Sequence, residues 1–332
     1  MNKKHYIIPI FVPMEGCPHQ CVFCNQDKIT GFKDVVTADF VRSTANEYLS
    51  TMNHEEATIE ISFFGGTFTA IKECKQRELL QVAKEYKEKW LIDKIRMSTR
   101  PDAISDYILT YLKEYKVDII ELGVQSLDDN ILISAGRGHT VQDVINASKL
   151  IKEYGFVLGH QIMPGLPDDN FELDIKTAKM SIEMKPEIVR IYPALVIKDT
   201  PMETMYKLKE YIPYTLEEAV EISKILYKMY EDNNINVIRI GLQPTETIKE
   251  GGDVVAGPFH PAFRELVESS LYCDIIKEKL MECKKGIVEI NPKDLSKLYA
   301  NKKMYFNRLL DDGYQITVKS CNDIERGNLI IK

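Results

Sequence analysis

Short apolar, β-branched runs recur along the chain at residues 7–12, 57–64, 94–99, 118–124, 156–163, 188–197 and 236–242. Between them the apolar positions fall three and four apart, the period of an amphipathic helix, over 39–51, 76–89, 103–115, 140–154, 172–184 and 216–233. Several of these segments open on a residue whose hydroxyl can cap free backbone N–H groups, among them Thr37, Ser105 and Thr215. Strand and helix therefore alternate. Near-continuous apolar strands are what burial on both faces requires, so the pattern predicts an α/β protein with parallel strands under helices. A doubly wound open sheet and a barrel share this pattern, and periodicity alone does not separate them.

After Gln243 the character changes. Residues 244–261 carry Gly and Pro with no clear period, an amphipathic helix is predicted over 261–283, and strand-like runs at 286–290, 313–319 and 328–331 flank a helical segment at 293–310. The predicted division is a main unit over 1–244 and a small C-terminal α/β extension over 245–332.

Composition removes some function classes. With 44% hydrophobic and 28% charged residues the chain has the make-up of a globular protein, and no low-complexity tract or repeat interrupts it. A net charge of −7 argues against a broad phosphate-binding surface, so a small-molecule substrate is expected and nucleic acid is disfavoured as a partner. The Lys-rich stretch 72–94 is interleaved with Glu73, Glu78, Glu85, Glu88 and Asp93 at helical spacings, which reads as a solvated helix face. The apolar run near the N-terminus is far too short to span a bilayer and no small-residue cleavage site follows it, so no membrane association and a cytoplasmic location are expected.

The cysteines carry the chemistry. Their number, seven, is odd and too small for a disulfide scaffold in a chain of 332 residues, and three of them fall in Cys17-Pro-His-Gln-Cys21-Val-Phe-Cys24, directly after the first predicted strand. Three crowded thiolates suit three irons of a cubane cluster and leave the fourth iron open to a substrate or cofactor. A zinc knuckle needs a further pair of ligands at a familiar distance; His19 lies inside the loop, while Cys74, Cys273, Cys283 and Cys321 stand alone.

The CxxxCxxC spacing, with aromatic Phe23 before the last Cys, resembles the radical S-adenosylmethionine (SAM) superfamily. Further motifs that resemble it are Phe63-Phe64-Gly65-Gly66-Thr67-Phe68, Ser98-Thr99-Arg100-Pro101-Asp102, Gly123-Val124-Gln125-Ser126, Arg137-Gly138-His139-Thr140, Met163-Pro164-Gly165-Leu166-Pro167 and Tyr192-Pro193-Ala194-Leu195-Val196-Ile197. Over about residues 5–243 they resemble the radical SAM region of the Elongator catalytic subunit family and, more distantly, the oxygen-independent coproporphyrinogen dehydrogenases.

The resemblance implies a partial (β/α)6 TIM-type barrel whose cofactors are a 4Fe-4S cluster on Cys17, Cys21 and Cys24 and SAM. It implies that Gly65, Gly66 and Thr67 meet the amino end of SAM, that Ser98 and Gln125 meet its ribose, and that Gln161 and Met163 lie near its methionine or adenine parts. Phe23 and Arg100 are also placed at the cofactor. Thr67 and Ser98 each stand where the pattern usually has Glu. SAM cleavage by the reduced cluster, fed by a donor such as flavodoxin or ferredoxin, would give a 5′-deoxyadenosyl radical that abstracts hydrogen in the barrel mouth.

For the substrate, two features turn expectation away from tRNA uridine: the acidic balance, and the absence of a following acetyltransferase segment in this sequence. A small polar heterocycle follows, with queuine lyase, which releases 7-aminomethyl-7-deazaguanine, as the leading expectation. A deazaguanine-type base would want a carboxylate for its guanidine-like edge and an apolar or aromatic wall; Glu60, Glu121, Tyr192, Arg239, Gln243 and His260 are the candidates. A tRNA-uridine-modifying enzyme and a non-catalytic iron-sulfur electron carrier or sensor remain as alternatives.

Overall fold

The computed structural model describes residues 4–12, 15–30, 35–52, 57–249 and 251–332. The chain begins with β1 (Lys4–Val12), α1 (Gln26–Thr30), α2 (Ala38–Thr51), β2 (Ala57–Gly65), α3 (Glu73–Glu88) and β3 (Lys94–Thr99). It continues through α4 (Asp106–Glu114), β4 (Ile119–Gln125), α5 (Asp129–Ser134), α6 (Val141–Glu153), β5 (Val157–Ile162) and α7 (Phe171–Glu183). Then follow β6 (Ile188–Ile191), β7 (Val196–Ile197), α8 (Pro201–Lys207), α9 (Leu216–Asp232), β8 (Asn236–Ile240), β9 (Val254–Ala256) and α10 (Phe263–Lys279). The last elements are β10 (Lys285–Ile290), α11 (Leu295–Leu298), α12 (Ala300–Asp311), β11 (Gln315–Ser320) and β12 (Leu329–Ile331).

Seven strands pair in parallel in the order β1-β2-β3-β4-β5-β6-β8. They curl into a half-barrel, the partial TIM barrel of the sequence expectation, with β1 and β8 as its two edges. Six strands were implied; β8 makes a seventh. The apolar run 188–197 does not form one strand, because it breaks after Ile191 at Tyr192-Pro193, where proline supplies no N–H to a ladder. Its far end, β7, turns away to pair antiparallel with β9.

Alternation along each strand sorts the two faces. Ile8, Ile10, Ile59, Ile61, Phe63, Ile95, Met97, Leu122 and Leu158 point outward and are at most 2% exposed under the helices. His5, Glu60, Arg96, Glu121, Gln161 and Arg190 point inward and meet one another, so the barrel is filled with paired ions in place of hydrocarbon.

Local chemistry fixes the helix ends. The Thr37, Ser105 and Thr215 hydroxyls each accept a backbone N–H in the first turn of the helix that follows, and Thr140 with Asp143 and Thr215 with Glu218 form reciprocal capping boxes. Helix α10 enters two cores. Its Phe263, Leu266 and Val267 belong to the core outside the barrel, while Tyr272, Cys273 and Ile276 join Val288, Ile290 and Phe306 beneath a second sheet of order β11-β10-β12.

Candidate active site

Barrel enzymes place their chemistry at the C-terminal ends of the strands, where loops are free to vary over a rigid base. Here the loop after β1 carries Cys17, Cys21 and Cys24 and folds over those ends. It is anchored at Val22, whose N–H donates to the Ala135 carbonyl at 3.0 Å and whose carbonyl accepts from Met202 at 2.9 Å. On its other side it meets the turn after β2. The Thr67 N–H donates to the Glu15 carbonyl at 2.9 Å and the Gly66 N–H to Gln26 Oε1 at 2.9 Å. Gly66 has no room for a side chain, since a Cβ there would stand 2.1 Å from the Glu15 carbonyl oxygen. Gly66 is thus required by contact with the cysteine loop itself, and Gly65, at φ 92°, by close approach to the Val12 carbonyl at the end of β1, whatever the pair offers a ligand.

The loop and the strand ends together enclose a cleft. Cys17, Cys21, Cys24, Phe23, Gly65, Gly66, Thr67, Ser98, Arg100, Gln125 and Gln161 all line it. Met163 is not on its wall. It packs with the Cys21, Ile131 and Leu166 cluster, and its N–H donates to the Gln125 carbonyl at 2.9 Å.

Four features describe what this cleft asks for. Burial, then the neighbouring Cys21 and Cys17 sulfurs, push the Cys24 thiol up to about 12, so three thiolates would coexist here only with strong positive charge among them. Among the described residues no three His, Cys, Asp or Glu side chains close on a single metal ion; a cubane, which gives each thiolate its own iron, accepts a wider triangle. The Arg137 guanidinium donates to Cys21 Sγ at 3.3 Å and to the Gly123 carbonyl at 2.5 Å, placing a fixed cation beside the sulfurs. Finally, Gln125 sits in the left-handed region at φ 66°, beside a register shift in β4, and its buried Oε1 has no partner among the described residues. A strained residue on a cleft wall with an unsatisfied buried acceptor is what a ligand-binding position requires. The donor set and cleft fit a cluster with a polar cofactor beside it.

Beneath the cleft lies an ion column. His5 Nε2 contacts Glu60 Oε2 at 3.1 Å, Arg96 Nε contacts Glu60 Oε1 at 2.8 Å, Arg96 Nη1 donates to Glu121 Oε1 at 2.5 Å and Arg190 Nε to Glu121 Oε2 at 2.6 Å. Burial alone would raise the Glu121 carboxyl, but Arg190 and then Arg96 more than offset it and hold it below the ordinary carboxylate range. Gln161 links column to cleft, its Nε2 donating to Glu121 Oε2 at 3.0 Å and to Ser98 Oγ at 3.1 Å.

The sequence-expected substrate residues are therefore dispersed. Glu60 and Glu121 are buried in ion pairs below the cleft, so a base edge would have to displace arginines to reach them. Tyr192 follows β6 and accepts from Arg190 Nη1 at 3.3 Å. Arg239 is half-buried on β8 and Gln243 is exposed. His260, whose Nδ1 accepts from the Ala262 N–H at 3.1 Å, lines a separate recess with Pro193, Leu195, Leu242, Phe259 and Phe263. Conversely, Arg137, Gln26 and Gly123 line the cleft or brace it without having been singled out. Arg137 lies in the Arg137-Gly138-His139-Thr140 motif with no role of its own assigned there, and no spacing rule ties it to a cysteine 116 residues away.

The sequence matches the radical SAM superfamily over residues 11–179 and the Radical_SAM C-terminal domain over residues 186–272. The chain belongs to the radical SAM superfamily. As a radical SAM enzyme it uses a 4Fe-4S cluster and SAM.

It is 31% identical over 255 residues to a tRNA uridine(34) acetyltransferase of Methanocaldococcus jannaschii, covering 65% of this chain and 47% of that protein. An uncharacterised protein of the same organism is 32% identical over 239 residues, covering 68% of this chain and 71% of that one. In fold it is similar to the archaeal Elp3 of Methanocaldococcus infernus with an N-terminal deletion, at a TM-score of 0.62 and 25% identity, covering 86% of this chain and 65% of that one. The radical SAM chain spans about half the length of the curated tRNA uridine(34) acetyltransferases it matches. Relatives named for tRNA stand against the expectation that nucleic acid is disfavoured as a partner, and none of these names supports a lyase. Among the described residues no helix is long and apolar enough to cross a membrane.

Proposed function

We propose that this radical SAM enzyme abstracts hydrogen in the course of modifying a nucleobase in tRNA, uridine foremost. The observation that carries the reading is the similarity, over the radical SAM region, to archaeal enzymes named for tRNA uridine. When bound, cluster and SAM supply a 5′-deoxyadenosyl radical. The chain's own residues do the rest. Cys17, Cys21 and Cys24 would hold the cluster while Arg137 offsets negative charge at Cys21. The loops after β1 and β2 screen the cleft from water, and the Gln125 and Gln161 amides would orient the polar parts of SAM.

A second reading, cleavage of free queuine, is favoured by the net charge of −7, which offers an RNA backbone no broad cationic surface. One anaerobic experiment separates the two. Reconstituted protein is incubated with dithionite, SAM and either unmodified tRNA plus acetyl-CoA or queuine, and 5′-deoxyadenosine and base products are measured. A tRNA-dependent rise in 5′-deoxyadenosine with a new nucleoside mass is expected. Release of 7-aminomethyl-7-deazaguanine from queuine, with tRNA inert, would reverse the choice.

A further inference from the structure

One row of the barrel floor runs from the cofactor cleft to the open seam. In register Gly123 stands beside Gln161, Gln161 beside Arg190, and Arg190 beside Arg239, so the four positions share the concave face at one level. Gly123 and Gln161 line the cleft, and Arg190 and Arg239 extend the row to β8, the edge of the sheet.

The two arginines differ in their surroundings. Arg190 is 6% exposed and its charge is matched, with Nε and Nη2 on Glu121 at 2.6 and 3.1 Å and the guanidinium 5.4 Å from the centre of the Phe64 ring. Arg239 is half-buried, and among the described residues it has neither an ion-pair nor a hydrogen-bond partner. Inside the barrel Arg96 and Arg190 pair with the carboxylates of Glu60 and Glu121, and His5 leans on Glu60 as well, while Arg239, next in register to Arg190, pairs with no carboxylate among the described residues. Positive charge is left over at the seam. A half-withdrawn guanidinium is costly without a counter-charge, and its planar fork matches phosphate. Flat surfaces adjoin it through Arg190: Phe64 lies under that residue, Phe11 is 6.0 Å from Phe64, and the Tyr192 hydroxyl touches Arg190.

We propose that Arg239 binds a phosphate of the substrate, so that the base is taken as part of a nucleotide and rests against the wall of Phe11, Phe64 and Tyr192. The inference rests on the nucleobase reading above and narrows it. A free base brings no anion to Arg239, whereas a nucleotide brings both a ring to stack and the charge the seam lacks.

The test is equilibrium binding of uridine and uridine 5′-monophosphate to the anaerobically reconstituted protein with SAM present. The monophosphate is expected to bind about tenfold or more tightly than the nucleoside, the scale of one charge-assisted contact. Arg239→Gln should bring the monophosphate down to the nucleoside's affinity, and Arg239→Lys should keep part of the preference because it keeps a cation. Equal or undetectable binding of the two probes by the wild type overturns the proposal. So does an Arg239→Gln variant that loses both probes alike, because Arg239 would then be holding the barrel. A preference for the monophosphate without any tRNA product would keep this subsite and discard tRNA as the carrier; a tRNA product without the preference would do the reverse.

Discussion

The Gln161 amide has one acceptable orientation. Glu121 is an ionised carboxylate that can only accept, so Nε2 must face it, and the amide oxygen is left for the cleft. A buried ion pair of this kind fixes geometry more surely than it adds stability, yet breaking it leaves charge unmatched in a dry interior. Glu121→Gln is therefore expected to cost about 3–5 kcal/mol of stability, read as a fall in the midpoint of denaturant unfolding; an unchanged midpoint would mean that Arg96 and Arg190 find water instead. At the cluster end, Cys21→Ala should lower iron loading and abolish 5′-deoxyadenosine formation, both measured after anaerobic reconstitution. Arg137→Met should retain the cysteines but lower the cluster's reduction potential, since it removes a cationic donor to sulfur; a potentiometric titration with no shift would count against that role. The family and its cofactors were legible in the sequence because the cysteine motif that points to them depends on local spacing. The ion column was not, since whether Glu60 meets a base or Arg96 depends on which strand lies beside it.

Elements were easier to read than side chains. Each of the seven apolar runs overlaps a barrel strand, and Thr37, Ser105 and Thr215 cap the helices they were expected to open. What went unread was short: α1, α5 and α8 span 5 to 7 residues, too few to show a period. Strand β9, of 3 residues, pairs only because β7 has left the barrel after Pro193. On the outer face of β5, His160 ties the strand to two helices, with Nε2 3.0 Å from Ser148 Oγ and Nδ1 2.8 Å from Ser181 Oγ. Burial, followed by the charge on Lys152, pushes its pKa down to about 3. The folded state thus prefers neutral His160, so this contribution is whole above about pH 6.5, the unfolded value, and is lost as pH falls toward 3. His160→Gln should flatten the acid limb of the stability profile; an identical acid limb in the variant would place the sensitivity elsewhere. Thr140→Ala, which removes the hydroxyl half of a capping box, should cost about 1 kcal/mol, measured as a shift in thermal midpoint.

At the scale of the molecule, α10 decides how the parts hold together. The sequence suggested a break near residue 245, where composition shifts, and composition does not report that one helix supplies Phe263, Leu266 and Val267 to one core and Tyr272 and Ile276 to another. A chain ending at residue 244 is expected to lose cooperative unfolding, because the face of α9 that packs on α10 would be bared; a sharp melt by circular dichroism in that truncation would show the barrel to be self-sufficient. The interior has a further consequence for how such a protein changes over generations. Any lone replacement among Glu60, Arg96, Glu121 and Arg190 strands an opposite charge away from solvent, so tolerated variants should arrive in matched couples. A library randomised at all four positions should return swapped or wholly greasy solutions and hardly any mixed ones.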